Sequence, residues 1–302
     1  MGKLKFILPS EVGGSRLDKA IATVIPSYSR GQIQKWLKNG SVQVNNDPVL
    51  PKLKVWGGEI ITIDATDDKK LDFAPEPIHL SIIYEDQSII VINKPAGLVM
   101  HPGNGNWNGT LLNGLLNHNE KLTEIPRAGI VHRLDKETSG LLVVAKTLTA
   151  QLSLVKQLQS RSVYREYIAV VCGQLTTGGK VNAPIGRHPI NRTKMAITQR
   201  GKPAVTHYLP LEKGKDWTLV KCWLETGRTH QIRVHLTHIG HPLIGDPIYK
   251  RKLNKVSFPR QALNASKLTI NHPESKSELS WKIPIPQDMS NLLSILREND
   301  IH

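Results

Sequence analysis

The densest polar cluster in otherwise apolar sequence is Gly129-Ile130-Val131-His132-Arg133-Leu134-Asp135-Lys136-Glu137-Thr138-Ser139-Gly140. Strand-like runs flank it, so it reads as a loop held between two sheet elements. A carboxylate on such a loop, between the cations Arg133 and Lys136, is favoured in its charged form, which suits a nucleophile better than a general acid. Taken alone, Asp135 reads as readily as an acid capping a turn. A rival chemistry stands in His235, His238 and His241 with Asp246 beyond, since histidines three apart on a helix can share a metal that an acid completes. Against it, Ile232, Leu236 and Ile239 form a helical apolar stripe, Gly240 and Pro242 end the helix, and His241 lies past that end. No metal site is therefore expected. The chain holds neither a Gly-x-Gly-x-x-Gly run nor a Walker-type loop, so no nucleotide cofactor is expected either.

Charge points to the partner. The 302 residues carry 40 Lys and Arg against 25 Asp and Glu, a net charge of +15, which calls for a polyanion, nucleic acid first. The excess lies mostly beyond residue 76, and between residues 151 and 203 Glu166 is the sole acid. Phosphate contacts are expected from Arg187, Arg192, Lys194 and Lys202, in a Gly- and Pro-punctuated stretch. The two cysteines, Cys172 and Cys222, sit inside apolar runs and read as buried thiols of a reducing compartment. With no signal peptide and no long apolar run, a cytoplasmic protein without membrane contact is expected, most simply a monomer.

Two kinds of element must position these residues. Near the N-terminus, Leu17, Ile21 and Val24 recur at helical spacing and Pro26 stops the run. A second helix opens at Ser29, with Gln32 closing a capping box, Ile33, Trp36 and Leu37 inward, and Gly40 as the left-handed stop. Its other face shows Arg30, Lys35 and Lys38. Short strands at 41–45 and 59–63 follow, the first ending in an Asn46-Asp47-Pro48 turn. Beyond a polar stretch from Asp64 to Pro77, strand signals recur at 82–84, 88–92, 141–145, 166–171, 204–209 and 219–224. Between them lies one clear helix, 149–160, with Leu152, Val155 and Leu158 expected inward. The fold class is α+β, built on a mixed, largely antiparallel sheet.

Arg16-Leu17-Asp18, then Ser29-Arg30 and the basic helix, then Gly40-Ser41-Val42-Gln43-Val44-Asn45, resembles the S4 RNA-binding domain over residues 14–65. His132-Arg133-Leu134-Asp135 with Thr138-Ser139-Gly140 is similar to the signature of the pseudouridine synthases that modify large-subunit ribosomal RNA. Arg165-Glu166-Tyr167-Ile168-Ala169-Val170 and Gly227-Arg228-Thr229-His230-Gln231-Ile232-Arg233 resemble that family's next two motifs, in its order. Asn93-Lys94-Pro95 and His241-Pro242-Leu243-Ile244-Gly245-Asp246 extend the likeness to residues 78–290. The resemblance implies an S4-like domain over 1–70, a linker over 71–80 and a catalytic domain over 81–302.

It further implies a cofactor-free isomerisation of uridine to pseudouridine in 23S ribosomal RNA, free or in the large subunit or its precursor. Asp135 would attack either the ribose or the uracil ring. Tyr167 would stack on the extruded base and assist proton removal from C5, and Arg233 would pair with Asp135. Arg133 would fill the gap left by the flipped base, and His132 and Arg228 would join the RNA contacts. Asn264 stands where the family usually has histidine. The alternative is a non-catalytic RNA-binding or ribosome-assembly factor on the same fold. The Arg-Leu-Asp at 16–18 repeats the tripeptide of the signature, but Asp18 reads as a first-turn helix acid with no catalytic role.

Overall fold

The computed structural model describes residues 3–25, 28, 30–50, 53–64, 73–103, 105–191, 194–249 and 256–301; the absences noted below refer to these. The expected stop at Pro26, the cap at Ser29 and the phosphate contact at Arg192 lie outside them. The chain divides into two compact units, Met1–Asp72 and Phe73–His302.

In the first unit, β1 (Lys3–Ile7), β3 (Val42–Val44), β4 (Asp47–Pro48) and β6 (Ile60–Asp64) form a sheet in the order β1-β6-β3-β4. A small ladder pairs β2 (Ser15–Arg16) with β5 (Lys54–Val55), and helices α1 (Leu17–Val24) and α2 (Arg30–Lys38) pack together. Leu17, Ile21, Ile33, Trp36, Val42, Ile61 and Ile63 make its core. Each fully buried large aliphatic contributes about 1.5–3 kcal/mol. The hairpin turn falls on Asn45-Asn46, at φ 52° and 73°, one residue earlier than expected. A two-residue loop needs two left-handed residues, which asparagine tolerates and proline cannot adopt.

The second unit holds β7 (Ile82–Glu85), β8 (Ile89–Lys94), β9 (Ser139–Ala145), β10 (Tyr164–Cys172), β11 (Gly179–Asn182), β12 (Ile185–Arg187), β13 (Met195–Ile197), β14 (Val205–Lys213), β15 (Trp217–Leu224), β16 (Leu263–Asn271) and β17 (Glu278–Lys282). Its helices are α3 (Leu111–His118), α4 (Leu148–Gln159), α5 (Gln231–His238) and α6 (Gln287–Ile301). The main sheet runs β11-β14-β15-β10-β16-β9-β8-β7, with β17 also on β16. Its pairings are antiparallel except β16 with β9, which run parallel through Asn264 with Ser139 and Ala265 with Gly140. β9 is buried along its whole length, the signature of a strand covered on both faces.

Alternation then sorts the elements. Ile90, Ile92, Leu142, Val144, Tyr167 and Ala169 share one core with Leu111 and Leu115 of α3 and with Ile232 and Leu236 of α5. Ile89, Val91, Leu141 and Val143 meet Ala150 and Leu154 of α4, while Ile168 and Val170 meet Met289 and Leu292 of α6. Leu152, expected inward, is 68% exposed, because α4 docks through Ala150, Leu154 and Leu158, spaced four apart. Residues 73–80, the described part of the expected linker, lie on this unit: Phe73 and Leu80 pack on its core and Asn113 Nδ2 donates to Ala74 O. β12 and β13 form a separate hairpin off the main sheet.

Candidate active site

Asp135 sits at the start of a tight turn closed by Thr138 N–H to Asp135 O at 3.0 Å, between the core residue Leu134 and strand β9. The approach to it is unusual backbone. Arg127, Ala128 and Gly129 follow one another at φ 58°, 50° and 77°, which swings the chain back under β9. Only glycine fits the third position, since a Cβ there would lie 1.9 Å from Ala145 O. The turn beyond Asp135 is gripped from two sides. Lys94, fully buried, donates its Nζ to the carbonyls of Pro95, Leu98 and Lys136 at 2.7–3.0 Å, and Gly97 N–H also reaches Lys136 O. Arg260, anchored on Asp288 by Nε at 2.6 Å and Nη2 at 3.0 Å, donates Nη1 to Glu137 O.

Arg233 arrives from the opposite direction, on α5. The start of α5 is stapled to β14 by the buried Gln231, whose Nε2 donates to Val205 O and Thr206 Oγ1 while its Oε1 accepts from Thr226 and from Arg228 N–H. Arg233 is clamped by buried Asp246 through Nε to Oδ2 at 2.7 Å and Nη2 to Oδ1 at 2.9 Å. That bidentate pair leaves Nη1 to reach Asp135 Oδ2 at 3.1 Å. Burial alone would raise the Asp246 pKa, but Arg233 and the N–H groups of Ile248 and Tyr249 hold it below its ordinary value. Asp135 keeps 15% of its side chain accessible, whereas Asp246 keeps none. A carboxylate oriented by a fixed guanidinium and still open to a reactant is equipped for nucleophilic attack.

The opening above Asp135 is a cleft of about 870 Å³ lined by His101, Arg127, His132, Arg133, Arg165, Tyr167, Arg228 and His230 among others. That matches the size of a site for a drug-sized or nucleotide-sized group. Tyr167, 6% exposed, shares the α5-facing side of β10 with Arg165. Burial and the Asp135 carboxylate push its phenol up, against the pull of Arg165, so it stays protonated at neutral pH. A neutral phenol is built to stack on a base, and the expectation that it also removes a proton gains nothing from this environment. His132 lines the cleft, but its Nε2 accepts from Val143 N–H at 3.0 Å, and burial and then Arg165 hold its pKa down to about 3. It brings no charge to RNA; it ties the loop to β9. Arg133 is exposed at the cleft, and Arg228 is half-buried with its Nε on Pro203 O.

The other basic residues separate. Lys35 and Lys38 are exposed on α2, but Arg30 is a strut: its Nε and Nη2 both hold Asp18 Oδ2, at 2.9 and 2.8 Å. Asp18, fully buried, also accepts from Gln34 and Arg16 and so ties α1 to α2. Arg187 and Lys194 fall on or beside the β12–β13 hairpin, and Lys202 is bridged to Ile185 at its base. Tyr249 links this hairpin to the cleft: its hydroxyl contacts Met195 N and O and His230 Nδ1, and its ring lies 5.2 Å from the Arg233 guanidinium.

The histidines of the rival metal reading look elsewhere. His235 spends Nδ1 on Thr206 and Nε2 on Ala183 O, and His241 Nδ1 meets Cys172 O. Cys172 and Cys222 are buried thiols that form no disulfide with each other. Asn264 is buried beneath the site, accepting from Ser139 Oγ at 2.8 Å. Sequence reasoning missed the roles of Asp246, Lys94 and Arg165. Asp246 and Lys94 stand inside quoted motifs, and Arg165 lies two residues before Tyr167, the same-face spacing of a strand.

A sheet of this order, with an arginine-held aspartate on the loop entering its interior strand β9, defines a class that sequence comparison identifies. The RNA pseudouridylate synthase family profile matches residues 88–238 and the S4 domain profile matches residues 15–61. The chain belongs to the RNA pseudouridylate synthase family and is a pseudouridine synthase. Among curated relatives it is 53% identical over 302 residues to the ribosomal large subunit pseudouridine synthase D of Nitrosomonas europaea, covering 97% of this chain and 88% of that one. It is 50% identical to the protein of the same name from Escherichia coli strain K12, covering 94% and 91%. Among solved structures, human RNA pseudouridylate synthase domain containing 4 matches with a TM-score of 0.58 at 26% identity, over 72% of this chain and 93% of that one.

Proposed function

We propose that this chain converts uridine to pseudouridine in the 23S RNA of the large ribosomal subunit or its precursor, with Asp135 as the nucleophile acting on a flipped-out uridine. The observation that carries the reading is the accessible Asp135 carboxylate held at 3.1 Å by Arg233, itself fixed by Asp246, at the floor of a nucleotide-sized cleft. The relatives named for large-subunit ribosomal RNA support the substrate. The finer likeness of Pro126-Arg127-Ala128-Gly129, Arg187-His188-Pro189 and Ile285-Pro286-Gln287-Asp288-Met289 to such enzymes points to the RNA stem-loop that meets the small subunit.

Asp135 lies at the floor of the cleft with 15% of its side chain accessible, out of reach of a base stacked in a helix, so the uridine is extruded first, a step costing a few kcal/mol, and Arg133 at the rim fills the vacated stack. The Asp135 carboxylate attacks ribose C1′ or uracil C6. The N1–C1′ bond breaks with its electron pair left on N1, the ring turns against Tyr167, and a C5–C1′ bond forms. The bond from Asp135 to C1′ or C6 then breaks and returns its electron pair to the carboxylate, while the C5 proton leaves to solvent and N1 takes one up. Atoms and electrons balance without an added group. Lys35 and Lys38 of the S4 domain and the Arg187, Lys194 and Lys202 hairpin hold phosphates and position the RNA without reading its bases. The test is pseudouridine mapping of large-subunit RNA, naked and in assembled particles, after incubation with the chain. New pseudouridine confined to large-subunit RNA supports the substrate; modification of other RNA alone contradicts it.

A further inference from the structure

Arg165 is the anomaly of the cleft. It is 93% buried by its 7% relative exposure, it lines the cleft beside Tyr167, and among the described residues no carboxylate or carbonyl partners it. Its Nε is buried with no hydrogen-bond partner. The other buried arginines are spoken for: Arg233 faces Asp246 and Asp135, and Arg260 faces Asp288 and three carbonyls. The groups facing Arg165 add no negative charge of their own. They are the protonated Tyr167 and the neutral His132, while Gly227 leaves the space its Nη1 occupies, since a Cβ there would lie 2.8 Å from that atom. A guanidinium taken out of water without a counter-charge is destabilising, and a protein that keeps one in a substrate cleft has the substrate supply the anion.

We propose that Arg165 is the seat for one phosphodiester of the RNA at the target nucleotide, completing a charge pair that the free enzyme lacks. The inference rests on the reading of the cleft as the uridine site. Strand geometry favours a phosphate over a base carbonyl. Arg165 and Tyr167 project from the same face of β10 about 6.6 Å apart, one strand repeat, so a ring laid on Tyr167 carries its own backbone past Arg165. A full negative charge compensates a desolvated cation, whereas a neutral carbonyl does not. The exposed arginines of the rim have solvent for that purpose; Arg165 does not.

The test is the salt dependence of binding to a large-subunit RNA stem-loop, for the full chain and for Arg165→Met, Arg165→Gln and Arg165→Lys. Each phosphate neutralised contributes a slope of about 0.7–0.9 in log affinity against log salt. Wild type and the Lys variant should share one slope, and the Met and Gln variants should be shallower by about that amount and bind about tenfold more weakly at low salt. The melting temperature of the Met and Gln variants should equal or exceed that of wild type, because each loses an unpaired buried cation; a structural arginine would show the reverse. Neutral methylphosphonate linkages, placed one at a time around each uridine, should locate one position that weakens wild type at least fivefold and the Met variant less than twofold. Parallel slopes, equal methylphosphonate penalties at every position, or a melting temperature lowered in both neutral variants would overturn the proposal. All of these are read in binding and stability, so they decide the matter independently of turnover. Pseudouridine formation by wild type on the same RNA reports separately on the reading beneath it.

Discussion

At the scale of single residues the site is a relay of fixed charges. Asp246 aims Arg233, Arg233 aims Asp135, and the last of the three is the one left open to the cleft. Asp246→Asn should therefore lower kcat at least tenfold while KM for RNA moves less than threefold, and should cost about 3–5 kcal/mol of stability by leaving Arg233 half unpaired; a change confined to KM would contradict the relay. Asp135 stood out because its loop is the densest polar cluster between apolar strands, though resemblance was needed to prefer a nucleophile over a turn cap; its partner lies 98 positions away, and local reasoning does not reach so far. Resemblance supplied Arg233. Asp246 closed a motif of the resemblance but was given a role only as a possible metal ligand, since a sequence shows that an acid follows histidines and not that a guanidinium has already claimed it. The role of Arg165, which heads a motif of the resemblance, was missed for a related reason: that an arginine lacks a partner leaves no trace in a sequence.

At the scale of elements, the Asp135 turn is held by clips on neighbouring segments. Lys94, at the end of β8, loses three carbonyl contacts if replaced. Lys94→Met should cost about 1–3 kcal/mol for each buried carbonyl left without a donor and lower kcat, with RNA affinity unchanged; an unaltered melting temperature would remove Lys94 from this role. In the S4 domain Asp18 ties α1 to α2 through Arg16, Arg30 and Gln34. Asp18→Ala should unfold that domain's helices at a lower temperature and weaken RNA binding without altering kcat at saturating RNA, checked by differential scanning calorimetry beside steady-state kinetics. Strands β3, β6, β7–β10, β14 and β15 and helices α1, α2, α4 and α5 were legible from period; the other strands, β16 among them, and α3 and α6 were not. Those misjudged were decided by packing: Leu152 and Leu154 are equally apolar in sequence, and the sheet that selects Leu154 joins β9, just before α4, to β8 and β16, which are distant in sequence. β1 carries the alternation Lys3-Leu4-Lys5-Phe6, yet needs β6, nearly sixty residues on, to become a strand.

At the scale of the molecule, the two units have separate cores, and the charge of +15 makes association with RNA salt-dependent throughout. Residues 1–72 removed, affinity for large-subunit RNA should fall at least tenfold while kcat at saturating RNA stays within a factor of three. The pH dependence of stability also belongs here. Burial, followed by nearby arginines, depresses His101 to about 4 and His132 to about 3. The folded state therefore refuses protons that the unfolded chain accepts below about pH 6.5. Melting temperature should be flat from pH 7 to 8 and fall steadily from about pH 6.5 toward pH 4, with a shallower fall in His132→Asn; a curve flat to pH 4.5 would contradict these environments. The measurement that bears most directly on the central claim is tritium release from C5-labelled large-subunit RNA by wild type and by Asp135→Asn, with RNA affinity measured for both. Release by wild type, unaffected by EDTA, and a loss of at least a thousandfold in the variant at an affinity within threefold of wild type, is the expected result. Comparable release from the variant would show that Asp135 is not the nucleophile.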